Sequence, residues 1–140
     1  MIAIDTNVLV YAFDMNEPLK QAIAKRVIDS LGQTGQGVML WQVACEFLAC
    51  LRKWENANRI TRAEAMLFYN QGTTLFPLQL PQPTILAKSF DLRNRFSLIH
   101  WDSLLISACL NAGVSILYSE DLAAGANYDA VQVINPFPSI

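Results

Sequence analysis

The sequence predicts an α/β protein, a three-layer α/β/α sandwich around a central parallel sheet of four to five strands. Short apolar runs of strand length recur at Ile2–Ile4, Val38–Trp41, Ser115–Ser119 and Val131–Ile134. Between them lie longer segments with apolar residues at helical spacing. The two kinds of segment alternate along the chain, as they do in a parallel sheet covered on both faces. At 140 residues, with no repeat, linker or low-complexity tract, residues 1–140 read as a single domain.

Taken in order, Ile2–Ile4 is the first strand, and Thr6 or Asn7 is placed to cap a short helix over Val8–Phe13. Pro18 opens a second helix, with Leu19, Ile23, Val27 and Leu31 as its apolar stripe. The glycines of Gly32–Gly37 end it in a loop. That loop lacks the closing Lys-Ser or Lys-Thr and the following helix of a phosphate-binding turn. Val38–Trp41 is the second strand, followed by a helix from Gln42 to about Ala57. A further helix runs from Thr61 to about Gln71, where "TRAE" has the form of a capping box. "TLFPLQ" reads as an edge strand, because Pro77 cannot donate to a ladder. Helices over Pro83–Ser97 and Trp101–Gly113 precede the strand at Ser115–Ser119, and Val131–Ile134 closes the sheet.

Composition narrows the function classes. The chain is 53% hydrophobic and 16% charged, apolar enough to predict more buried surface than one copy offers, hence a homodimer or a protein partner. A net charge of −2 gives no broad basic footprint, so a nucleic-acid partner would rely on local basic patches or metal ions. Cys45, Cys50 and Cys109 form neither a disulfide framework nor a zinc spacing and read as reduced core residues. The N-terminus does not have the pattern of a signal peptide, and no apolar run is long enough to span a membrane. These features predict a cytoplasmic protein without a membrane partner.

Most of the acidic residues lie among polar neighbours or near helix ends and turns, as Asp14, Glu17, Asp29, Glu55, Glu64, Asp91 and Asp129 do. Asp5, Glu46, Asp102 and Asp121 instead sit in apolar company, in "IAIDT", "VACEFLAC", "HWDSLLIS" and "ILYSED". Each has a structural use: a cap at Asp5, a favourable helix-dipole position at Asp102, a turn at Asp121. Their placement makes them a set. Asp5 and Asp121 follow strands, Glu46 lies early in the helix after the second strand, and Asp102 begins the helix that feeds the fourth. The carboxyl ends of parallel strands share one edge, where ligands bind.

Two carboxylates ~5 Å apart repel by roughly 3 kcal/mol at an effective dielectric near 20. No Lys or Arg adjoins any of the four in sequence. Such a cluster needs protonation or a cation, and hard oxygen donors select Mg²⁺ or Mn²⁺. A divalent ion of this kind acts on phosphates. On this reading Asp5 is a metal ligand and not a cap.

"DTNVLVYAFD" at the start, "EF" at Glu46–Phe47, "WDSLLISACL" and "LYSEDL…G…YDAVQVINPF" resemble the PIN-domain ribonucleases, and are especially similar to the VapC toxins of bacterial toxin–antitoxin pairs. The resemblance runs from residue 1 to about 137, with four segments in order. It implies an α/β/α domain that cleaves RNA phosphodiesters with Mg²⁺ or Mn²⁺, and an acidic quartet of Asp5, Glu46, Asp102 and Asp121. Asp5 and Asp102 would be the firmest metal ligands, completed by Glu46 and Asp121. Asn7 matches a polar residue that orients Asp5 or a water, and Ser119 a hydroxyl two residues before the last acid. Glu120 should point elsewhere, and Thr6 should contribute only backbone and capping. The family commonly works with an antitoxin laid across the site and commonly forms homodimers.

The remaining features read as structural. His100, the single histidine, is assigned a structural role. Arg52, Lys53, Arg59 and Arg62, and Lys88, Arg93 and Arg95, are solvated helix faces or an RNA-backbone contact. Trp41, Trp54, Phe68 and Trp101 are expected in the core, with one at a dimer face. A dehalogenase-like phosphatase would need a second carboxylate where Asn7 stands, and a phospho-receiver would need a lysine in "VQVINPFPSI". The remaining alternative is a catalytically silent module of the same fold that binds RNA or protein.

Overall fold

The computed structural model describes residues 1–138. In chain order these form β1 (Ile2–Ile4), α1 (Thr6–Tyr11), α2 (Pro18–Thr34), β2 (Gly37–Leu40), α3 (Trp41–Asn56), α4 (Arg62–Thr73) and β3 (Leu78–Gln79). There follow α5 (Thr84–Phe96), α6 (His100–Asn111), β4 (Ile116–Tyr118), β5 (Asn127–Tyr128) and β6 (Val131–Ile134). The sheet has the order β3-β2-β1-β4-β6-β5. The five strands expected from sequence are present and parallel. A sixth, the two-residue β5, pairs antiparallel with β6 at the edge.

The chain winds from β1 outward to β2 and β3, then returns across the sheet to β4. Crossovers running in opposite directions from β1, right-handed as parallel connections generally are, place helices on both faces of the sheet. The strand order reverses between β1 and β4, so a crevice opens there at the carboxyl ends of the strands. Asp5 N–H donates to the Tyr118 carbonyl at 2.8 Å, so the two strand ends are held side by side.

Apolar burial fixes this frame. Ile4, Leu117 and Val133 from the strands meet Val8, Leu9, Phe47 and Ile106 from the helices in one buried cluster. The capping box at Thr61 forms as read, with Thr61 and Glu64 satisfying each other's backbone N–H groups. Of the stripe predicted for α2, Leu31 is buried and Ile23 and Val27 pack partly buried against the core beside Ala24 and Ile28, while Leu19 is 80% exposed and lies outside it.

Three core assignments are corrected by the structure. Trp41 and Trp101 are 46% and 61% exposed, and Cys45 is exposed. Both tryptophans occupy first turns of helices and face one open groove. Trp54 and Cys109 are buried as predicted, while Cys50 and Phe68 are half-buried. No described helix is long and apolar enough to cross a membrane.

Candidate metal centre

Asp5 follows β1 directly and is the N-cap of α1. Its Oδ1 accepts from Thr6 N–H at 2.7 Å, the capping bond expected instead from Thr6 or Asn7. The prediction that Asp5 is not a cap is therefore corrected; a carboxylate has lone pairs enough to cap and still face a ligand. Its Oδ2 accepts from the Ser119 hydroxyl at 2.7 Å and from Asn7 Nδ2 at 3.4 Å.

Ser119 is fully buried just beyond β4 and works in both directions. It donates to Asp5 and accepts from the N–H groups of Asp121 and Leu122 at 3.2 and 3.4 Å. Asn7 spans the same junction, because its Oδ1 accepts from Glu120 N–H at 3.2 Å. The end of β1 and the loop after β4 are thereby locked together around Asp5. Glu120 is turned aside as expected, bound by Lys20 Nζ and Tyr11 OH, each at 2.7 Å.

The other three acids lie nearer the surface. Glu46, exposed on α3, accepts from Gln42 Nε2 at 2.8 Å and from the Thr6 hydroxyl at 3.1 Å. Thr6 thus does more than the backbone and capping duty expected of it. Asp102 is half-buried in the first turn of α6, and Asp121 is exposed beyond β4. Among the described residues neither carboxylate has a hydrogen-bonding side-chain or backbone partner, and no Lys or Arg pairs with any of the four acids. The ion pairs are made elsewhere, by Lys20, Arg59, Arg62, Lys88 and Arg95.

Two of the four acids are shifted upward. Burial raises Asp5 to about 6, the Glu46 and Asp121 charges add to the rise, and the Ser119 and Thr6 bonds oppose it. Burial also raises Asp102, with Asp121 and Glu46 again contributing. The charges of Glu46 and Asp121 thus reach both Asp5 and Asp102. Among the described residues, however, no three His, Cys, Asp or Glu side chains are gathered closely enough to cage an ion as they stand. The donor set itself, all carboxylate oxygen beside a hydroxyl and an amide, fits a hard divalent cation.

A family model described as PIN domain matches residues 2–125. The chain belongs to the PIN domain family. PIN domains are typically metal-dependent nucleases, and the mostly parallel sheet flanked by helices is the fold that membership implies. No curated protein matches the chain. The PIN family assignment agrees with the resemblance to PIN domains over residues 2–125, which takes in the first three segments and the start of the fourth.

Beside the acids the PIN domain carries a groove of about 650 Å³, with Trp41, Leu80, Leu86 and Trp101 among its walls and Glu46 at its rim. All four apolar residues are strongly exposed. Sequence reading missed this groove because it counted both tryptophans as core. It also missed Gln42, although the Gln42–Glu46 spacing of one helical turn is the signal that would have found it. His100 is exposed and packs edge-on to Trp101 at 4.7 Å. Of the basic clusters, Arg59 and Arg62 are tied to Asp14 and Glu55, and Lys88 and Arg95 to Asp91 and Asp129.

Proposed function

We propose that this PIN domain is a divalent-metal-dependent endoribonuclease that hydrolyses RNA phosphodiester bonds, the toxin of a toxin–antitoxin pair acting in the cytoplasm. The observation that carries the reading is the set of four acids at strand ends and helix starts around the β1/β4 switch point, none of them paired with a cationic side chain among the described residues. Asp5 and Asp102 would be the principal ligands of Mg²⁺ or Mn²⁺, with Glu46 and Asp121 completing the set. The ion would supply Lewis-acid activation of water and neutralise charge on the phosphate.

The chain's own residues prepare the site. Asp5 is oriented from both oxygens, by Thr6 N–H on one and by Ser119 and Asn7 on the other. Ser119 also fixes the backbone that carries Asp121, so one hydroxyl sets the spacing of two acids. Asn7 links the same loop to α1. Half-buried Asp102 and exposed Asp121 leave the substrate side open.

The groove flanked by Trp41 and Trp101 supports a protein partner. Contiguous exposed large apolar side chains mark interaction surfaces, and both a cognate antitoxin and a second copy of the chain fit this chemistry. The alternative, a catalytically silent PIN-fold module that binds RNA or protein, draws on the absence of three converged ligands among the described residues.

Cleavage of total cellular RNA by the purified protein tests the proposal, with Mg²⁺ or Mn²⁺ against chelator and beside Asp102→Asn. Cleavage that requires the ion and vanishes in the variant is the expected outcome. Cleavage that survives both refutes the site, and metal binding without cleavage of any RNA favours the silent module.

A further inference from the structure

Gln42 stands one helical turn before Glu46 on α3, so the two side chains share a face. Its Nε2 donates to Glu46 Oε1 at 2.8 Å and to the Trp101 carbonyl at 3.1 Å. Both partners are pure acceptors, so the amide must present its nitrogen, and the two bonds use both of its hydrogens. Trp101 immediately precedes Asp102 in the first turn of α6. The principal helix packing lies elsewhere, α3 against α1 and α4 and α6 against α5, and the apolar groove separates α3 from α6.

We propose that Gln42 is a positioning residue of the metal centre, the strut that holds Glu46 on α3 at a fixed spacing from Asp102 on α6. The proposal rests on the reading of these two acids as cation ligands. Glu46 is exposed and carries a long, freely rotating side chain, whose wandering Gln42 and the Thr6 hydroxyl restrain from opposite carboxylate oxygens. Thr6 anchors Glu46 to the β1 side of the site, and Gln42 anchors it to the α6 side. Gln42 is not itself a ligand in this arrangement, since the atom it turns to the site is a donor. Groups that orient ligands in this way act on metal affinity by about 10–100-fold when removed.

The test is calorimetric titration of Mn²⁺ into the full chain without RNA, for wild type, Gln42→Met, Glu46→Gln and the double variant, with urea unfolding in chelator alongside. Met keeps the length and helix propensity of Gln and loses both donors. Gln42→Met should weaken Mn²⁺ binding about 10-fold or more while the metal-free unfolding midpoint stays at the wild-type value. In the Glu46→Gln background the same substitution should have almost no further effect, because its target is gone. Gln42→Leu repeats the comparison should Met pack differently in the groove. Wild-type affinity in Gln42→Met, or an equal loss in both backgrounds, overturns the proposal while leaving the metal site standing. A wild-type chain that binds no Mn²⁺ overturns the site reading itself, and the strut with it.

Discussion

Replacing Asp5 by Asn should stabilise the metal-free protein at alkaline pH, and the gain should vanish in acid. Asp5 is nearly fully buried, and its folded-state value is raised from 3.8 to about 6, chiefly by burial and then by the Glu46 and Asp121 charges. A carboxyl group raised in the folded state binds its proton more tightly there than in the unfolded chain. Stability from this group is therefore fully present below about pH 4 and is lost as pH rises through about 6. The shift of about two units corresponds to roughly 3 kcal/mol of destabilisation at pH 8.

Asn at this position resembles the protonated acid and carries no such penalty. Its Oδ1 still accepts from Thr6 N–H, and Asn is as good an N-cap as Asp. The loss falls on the other side of the group, where Ser119 Oγ–H and Asn7 Nδ2 would meet an amide nitrogen instead of an acceptor. That mismatch costs about 1 kcal/mol. The net expectation is about 2 kcal/mol of added stability at pH 8 and about zero near pH 4.5. Urea unfolding in chelator at the two pH values measures it. A variant less stable than wild type at pH 8, or a difference independent of pH, would refute the reasoning. Saturating Mn²⁺ supplies the converse check: at 100 times its dissociation constant it should add about 2.7 kcal/mol to wild type alone and overtake the variant.

Asp102→Asn and Asp121→Asn should each lower metal-dependent RNA cleavage beyond the ~10–100-fold typical of groups that only orient ligands, with folding preserved; cleavage rates and urea midpoints check both. Ser119→Ala leaves Asp5 Oδ2 and two N–H groups without their buried partner and should cost about 1–3 kcal/mol. Because the Ser119 bond lowers Asp5, its loss should also move the pH midpoint of Mn²⁺ binding upward. Gly72→Ala would bring a methyl group to 2.5 Å from the Phe47 ring in the α3–α4 contact and should destabilise by about 1–3 kcal/mol in thermal or urea unfolding. Trp101→Ala should weaken self-association or partner binding through the groove by about 2 kcal/mol if the indole is an anchor, read by sedimentation.

The sheet was legible because parallel strands buried on both faces read as short apolar runs, and Ile2–Ile4, Val38–Leu40 and Val131–Ile134 are such runs. Asp5 and Asp121 were legible for a related reason: a charge placed where an apolar strand stops marks the strand's carboxyl end. What pattern alone could not give was direction and depth. Leu19 continues a helical stripe in sequence yet lies exposed in the first turn of α2, while Ile23, Val27 and Leu31 of the same stripe reach the core. Trp41 and Trp101 obey the rule that aromatics favour burial until their place in the fold is known. Each lies in the first turn of a helix, where its side chain lines an open groove and not the core. Place in the fold also explains why the bonds of the polar helpers were not read from sequence. Gln42 carries no charge and breaks no apolar pattern, Thr6 read only as backbone and cap, and Ser119 stood out only through the family resemblance; the bonds they make arise when crossovers bring α1, α3, α6 and the β4 loop to one crevice. An acid out of place can be seen in one dimension; the donors that hold it require the fold. The fold also accounts for the cost of the site, since the desolvation that raises Asp5 comes from the same β1–β4 junction that aligns Ser119 and Asn7 upon it.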